Sequence, residues 1–224
     1  MKIKSLELTN FRSYKGTVKT SFDSLTVFVG KNDIGKSTIL EALDIFFHDG
    51  KGAIKIDKGD INVEAVNEGN AICDIVAEFE DLPDKVIIDS SFSTSLADEY
   101  LLTEEGTLKV VKRYTGSGTI KTFIRALHPT NPNCSDLLIK KNSDLKKIVN
   151  AKHIECDNLS VNACIRKAIW SSFSDSLERQ VIDIAVDKED AKNIWGNLCN
   201  YLPVYSLFQS DRKNNDSDSE VQDP

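Results

Sequence analysis

No stretch of the chain approaches the ~20 consecutive apolar residues that a membrane-crossing helix needs, so no membrane partner is expected. The opening residues, MKIKSLELTNFRSYKG, contain no apolar core of a secretory leader. Histidine is scarce: three residues, widely scattered, offer no zinc cluster. The five cysteines (Cys73, Cys134, Cys156, Cys164 and Cys199) are odd in number, and no pair has a CxxC spacing. A disulfide framework is therefore not expected, and reduced thiols in a cytoplasmic protein are. An excess of positive charge is also lacking. Lys plus Arg is 28 against 35 for Asp plus Glu, a formal net charge of -7. A globally basic nucleic-acid module is excluded, though a local basic groove is not.

The chain has 224 residues, 40% of them hydrophobic and 28% charged, which suits one large domain or one core with an inserted subdomain. Residues 2–8 read as a strand, and Val18 and Phe22 suggest another. The run Leu25-Thr26-Val27-Phe28-Val29 is short, apolar and β-branched, and reads as a buried strand. From Lys36 the period becomes helical, with Ile39, Leu40, Leu43, Phe46 and Phe47 on one broad face until Gly50 and Gly52 stop it. Residues 71–79, 86–88, 108–114 and 119–127 read as strands, and Thr115-Gly116-Ser117-Gly118 joins the last two as a hairpin. That link is too short for a parallel crossover, so the two strands must pair antiparallel. Helices are expected over 136–149, 161–173 and 188–202, and a buried strand over 204–208. The organisation is thus one lobe over residues 1–210. It comprises a core of strand, loop and helix over 1–50, a β meander over 51–130, a helical section over 131–202 and a strand over 203–210. Residues 211–224 form an acidic flexible tail with five acids and two bases.

One motif carries chemistry. Gly30-Lys31-Asn32-Asp33-Ile34-Gly35-Lys36-Ser37 fits G-x-x-x-x-G-K-[ST], set between an apolar segment and an amphipathic helix. Gly30 and Gly35 let the backbone curl, so that N–H groups can meet phosphate oxygens. Lys36 is expected to reach the β and γ phosphates of ATP, and Ser37 to offer its hydroxyl to Mg²⁺. Asn32, Asp33 and Thr38 would shape the loop. Lys36 and Ser37 are the residues expected to take part in catalysis. Ser37 is the expected metal ligand.

A complete ATPase also needs a second magnesium ligand, at the end of an apolar strand that closes on Asp-Glu. Val86-Ile87-Ile88-Asp89 comes nearest, but Ser90 follows; Val181-Ile182-Asp183 is weaker. Glu41, Asp44 and Asp49 read as helix-surface or turn acids. Lys140, Lys141, Lys146, Lys147 and Lys152 form a basic run that suits either DNA phosphates or a solvated helix face, and no aromatic residues interleave it.

The phosphate loop, taken with Leu8-Thr9-Asn10-Phe11-Arg12 before it and Ile39-Leu40-Glu41-Ala42-Leu43 after it, resembles the RecF/SMC-like ATPases of the ABC class. Within these it looks most like the N-terminal ATPase domain of OLD-family and Gabija-type endonucleases. The resemblance is firm over about the first 50 residues and looser to about residue 127. It implies an α/β P-loop NTPase fold: an N-terminal lobe with an antiparallel β meander and a helical section. It places Arg12 near the nucleotide phosphates, and lets Gln209, at the end of an apolar segment, resemble a magnesium-sensing glutamine. The family's signature motif, Asp-Glu strand and switch histidine have no counterpart here, nor has its Toprim nuclease domain. The chain is therefore expected to be part of a longer protein, completed by a C-terminal half or a partner subunit, with ATPase heads that can pair as a homodimer.

The leading expectation is an ATP-binding lobe of an OLD/RecF-like protein that acts on DNA in genome maintenance or antiphage defence. Such a lobe would bind ATP and Mg²⁺ through residues 30–38, with no nuclease site and little hydrolysis on its own. Two alternatives stay open: a nucleotide-binding regulatory module that does not hydrolyse, and an unrelated P-loop kinase or GTPase. The last lacks a guanine-reading Asn-Lys-x-Asp stretch and an arginine-rich lid.

Overall fold

The computed structural model describes residues 1–29, 35–89 and 92–208, and of residues 86–89 and 92 the backbone only. Six strands form one sheet in the order β2-β1-β3-β6-β7-β8: β1 (Lys2–Phe11), β2 (Tyr14–Ser21), β3 (Cys73–Glu80), β6 (Leu108–Tyr114), β7 (Lys121–Pro129) and β8 (Arg179–Ala185). Every adjacent pair is antiparallel. The expected hairpin is there, with Val110 opposite Ile124 and Val111 opposite Phe123. A separate two-stranded ribbon, β4 (Val86–Asp89) and β5 (Phe92–Thr94), stands apart from this sheet.

Strand alternation sorts the sheet into two faces. Leu6 and Leu8, Ile75 and Ala77, Val110, Ile124 and Ile184 share the inner face. Helices α1 (Lys36–His48) and α5 (Glu189–Leu198) cover it with Ile39, Leu43, Phe46, Ile194 and Leu198. The outer face is charged. Arg113 grips both Asp74 and Asp183, and Arg125 joins Asp183 across β7 and β8. Glu78 accepts from Ser5, Lys19 and Thr107 on the same face.

The section expected to be helical contains α3 (Asn142–Lys152) and α4 (Asn162–Ser172), packed around a second core of Leu145, Val149, Ile165, Ile169 and Trp170. A short α2 (Val63–Asn67) lies earlier in the chain. One departure is β8, which leaves the helical section and closes the edge of the sheet. Its outward Val181 is 67% exposed, so the strand has little apolar alternation to announce it.

Two expected buried strands are corrected. Residues 25–29 pair with no strand among the described residues. Leu25, Val27 and Val29 are 81%, 70% and 89% exposed, while Phe28 turns inward and meets Phe22 edge-on at 6.4 Å. Residues 204–208 behave alike: Val204 and Phe208 are exposed, and Tyr205 stacks on Phe47 at 5.6 Å. Both segments alternate in burial but have no ladder beside them among the described residues. A β-branched pattern favours extended backbone; burying both faces needs a neighbouring strand.

Candidate functional site

The glycine-lysine-serine motif enters α1 at Gly35, the helix N-cap, in left-handed conformation at φ 85° and ψ 10°. That conformation is open to glycine and costly for most other residues. Lys36 is the first residue of α1, with Ser37 and Thr38 in its first turn. Lys36 and Thr38 are half-buried and Ser37 is exposed. Gly30, Lys31, Asn32, Asp33 and Ile34 lie outside the described residues, as does Gln209. The first turn of α1 carries no acidic residue, and its N–H groups carry partial positive charge.

The turn between β1 and β2 stands against this helix start. Arg12 donates to Asp60 at 2.7 Å through Nε and pairs with Glu41 of α1 through Nη1. Burial disfavours its charge, but the two carboxylates outweigh that and raise its pKa above the ordinary value. Arg12 thus meets α1 at Glu41, five residues along the helix from Lys36, with its guanidinium engaged by carboxylates. Tyr14, which the sequence reading did not single out, donates its hydroxyl to the Gly35 carbonyl at 3.1 Å. Asp60 and Asn62 were also missed. Asp60 receives Arg12, and Asn62 donates to the Arg12 carbonyl at 2.8 Å. The signal for Arg12 was its place after Asn10-Phe11. No spacing in the sequence announces the other three.

The acids of α1 have separate duties. Asp44 was expected at the helix surface, yet it is 2% exposed. It accepts from the Ile54 N–H at 2.8 Å and lies 3.1 Å from His48 Nδ1, so it ties the following loop back onto the helix. Asp49 pairs with the buried Lys112. Of the two magnesium-ligand candidates downstream, the Asp89 side chain lies outside the described residues. Asp183 sits on the outer sheet face, held by Arg113 and Arg125, with the sheet between it and α1. In the basic run, Lys140 and Lys147 pair with Asp136 and Asp144, and Lys152 lies over the Phe173 ring at 6.0 Å.

A cavity of about 420 Å³ opens elsewhere, between Ser93–Glu99 and α4, lined by Asp98, Glu99, Cys156, Cys164 and Lys167 among others. Among the described residues none of its lining belongs to the motif 30–37. Among the described residues no group of three or more metal-binding side chains converges, and no helix is long and apolar enough to cross a membrane.

The chain is similar to the DNA double-strand break repair Rad50 ATPase of Methanosarcina mazei, at 34% identity over 101 residues. That match covers 44% of this chain and 9% of the Rad50 protein, so the chain spans about a tenth of its relative's length. A family model described as an AAA ATPase domain matches residues 1–224. A phosphate-loop sequence opening an amphipathic helix, an antiparallel sheet beside it and a match along the whole chain agree: the chain belongs to the AAA ATPase domain family, in the RecF/SMC-like class of P-loop ATPases.

Proposed function

We propose that this chain is the ATP-binding lobe of a RecF/SMC-like ATPase of OLD or Gabija type, whose full assembly acts on DNA. The observation that carries the reading is the placement of Gly35, Lys36 and Ser37. The motif's second glycine caps α1 in the left-handed conformation, so its lysine and serine open the helix at the positive end of the dipole. In this reading residues 30–38 cradle ATP, Lys36 neutralises its β and γ phosphates, and Ser37 supplies a hydroxyl to Mg²⁺. Arg12, held by Glu41 and Asp60 beside the helix that carries the motif, is a further cation near the phosphates. Gln209 completes the magnesium site.

The remaining half of the site is supplied by another part of the full protein or by a second ATPase head. The exposed apolar rows of Leu25, Val27 and Val29, and of Val204 and Phe208, support this, because extended segments of this kind gain a ladder and lose water when a strand is laid beside them. The chain alone then binds ATP with Mg²⁺ and turns it over slowly, since phosphoryl transfer needs charges on both sides of the transferred group.

Titration calorimetry with Mg-ATP on the wild type and Lys36→Ala tests the reading. Clear binding by the wild type and a loss of at least ~10-fold in the variant is expected, in keeping with removal of a charged phosphate contact. Equal affinities would refute the assignment of the loop.

A further inference from the structure

We infer that Tyr14 is a positioning residue for the phosphate loop, setting the peptide between Gly35 and Lys36 in the orientation that triphosphate binding requires. This rests on the nucleotide reading above. Three observations carry it.

First, the Tyr14 hydroxyl donates to the Gly35 carbonyl at 3.1 Å. A trans peptide is planar, with its C=O and N–H on opposite sides. A carbonyl turned toward Tyr14 therefore turns the Lys36 N–H away from the β1–β2 turn. The hydrogen bond fixes the direction of a backbone donor at the start of α1, in the middle of the motif's Gly-Lys-Ser.

Second, the ring occupies the space over Gly35. A Cβ built on that residue would overlap the phenol oxygen and lie 2.9 Å from Cζ. The glycine is thus needed for close approach as well as for its φ of +85°. Tyr14 and the glycine are fitted to each other.

Third, Tyr14 is presented from a rigid base. Phe11 and Tyr14 face each other across the turn, with Arg12 held in the left-handed region at φ 51°. The Arg12 N–H reaches the Asp60 carbonyl at 2.7 Å, and Asn62 Nδ2 reaches the Arg12 carbonyl at 2.8 Å. Asn10, 4% exposed, donates to the Ile72 carbonyl and accepts from the Gly16 N–H. The pairing of Arg12 with Glu41 adds a second tie between the same turn and α1. A hydroxyl on so braced a turn holds its partner peptide still, where one on a loose loop would follow it.

The test compares the full 224-residue chain with Tyr14→Phe, which removes one oxygen and keeps the ring. Mg-ATP affinity is read by calorimetry, and nucleotide-free stability by thermal melting. The dissociation constant should rise roughly 3- to 10-fold, the worth of one neutral hydrogen bond. The nucleotide-free melting temperature should fall by no more than about 4 °C, the cost of one hydrogen bond in a chain of this size. Wild-type affinity in the variant overturns the inference. So does a weaker affinity accompanied by a melting temperature lowered well beyond that, by about 8 °C or more, which would make Tyr14 a general support of the fold. Absence of Mg-ATP binding by the wild type refutes the nucleotide reading and this inference together, whereas normal wild-type binding with an unaffected variant refutes this inference alone.

Discussion

Glu78 is a carboxylate, nearly buried on the outer face of the sheet, yet it stays ionised. Desolvation works against its charge, but donors from Ser5, Lys19, Thr107 and Lys4 outweigh it and bring its pKa down to about 2. The unfolded chain takes up a proton there near pH 4.5 and the folded chain does not. The stability that Glu78 contributes is therefore complete above pH 4.5 and falls away as the pH drops toward 2. A shift of that size is worth about 3 kcal/mol. Urea unfolding at pH 7, 4.5 and 3 should show the wild type losing stability across the acid range, and Glu78→Gln starting lower with a shallower loss. Parallel profiles for the two proteins would place the acid sensitivity elsewhere. Glu78 shows what single residues disclose in a sequence. In β3 it stands between the apolar Ala77 and Phe79, an alternation that the sequence itself displays, but its donors come from β1, β2 and residue 107 and leave no trace near it. Gly35 was legible as a motif glycine. Its contact with Tyr14 was not, because that contact joins positions 21 residues apart. Asp44 was misread for a similar reason: its N–H partner, Ile54, lies in a loop whose path periodicity does not describe.

Between elements, the main polar tie is Arg166. It is fully buried on α4, with Nε and Nη2 on the two oxygens of Glu99 and Nη1 on Asp190 at the start of α5. One guanidinium thus joins the second core to the layer that covers the sheet. His128 supports the same junction from β7. Its Nδ1 lies 2.9 Å from the Tyr100 carbonyl, its ring meets Trp170 edge-on at 6.0 Å, and burial pushes its pKa down. Arg166→Met should cost about 3–5 kcal/mol, because it strands two buried carboxylates without a counter-charge. The readout is a lowered urea midpoint at unchanged slope. A loss below 1 kcal/mol would mean that water enters and solvates the two acids. Element types were largely readable: α1, the hairpin of β6 and β7, and both α3 and α4 follow apolar periods closely. Pairing was not. The run 25–29 has the composition of a buried strand and alternates in burial, yet composition does not supply its neighbour. Strand β8 has a neighbour, but its outward residues Val181, Asp183 and Ala185 mix apolar and charged character, and its fit depends on Arg113 and Arg125 of other strands.

Across the whole molecule, the two faces of the sheet are finished differently. The outer face closes on itself through ion pairs between strands. The inner face is covered by α1 and α5, and against α1 lies the segment 204–208, which shows water its other side. Tyr205 fixes this segment: it stacks on Phe47 and donates to the Leu40 carbonyl at 2.7 Å, and burial raises its phenol to about 12, so the donor keeps its proton at any ordinary pH. Val204 and Phe208 point away from that contact at 97% and 92% exposure. Leu25, Val27 and Val29 form a similar row on the segment that leads into the phosphate loop. Unpaired extended backbone with β-branched side chains is a template for strand addition. The isolated chain should therefore associate with itself as its concentration rises, and light scattering should show the mean mass climbing above that of one chain. Lysine is the natural edge breaker, so Val27→Lys combined with Val204→Lys should return the protein to the mass of a monomer. Because both side chains are exposed, their replacement should shift the melting temperature by no more than about 2–3 °C. A wild type that stays monomeric throughout the concentration series would show that these rows are not adhesive and would remove the physical ground for a strand partner. Association that survives both substitutions would move the contact to another face of the molecule.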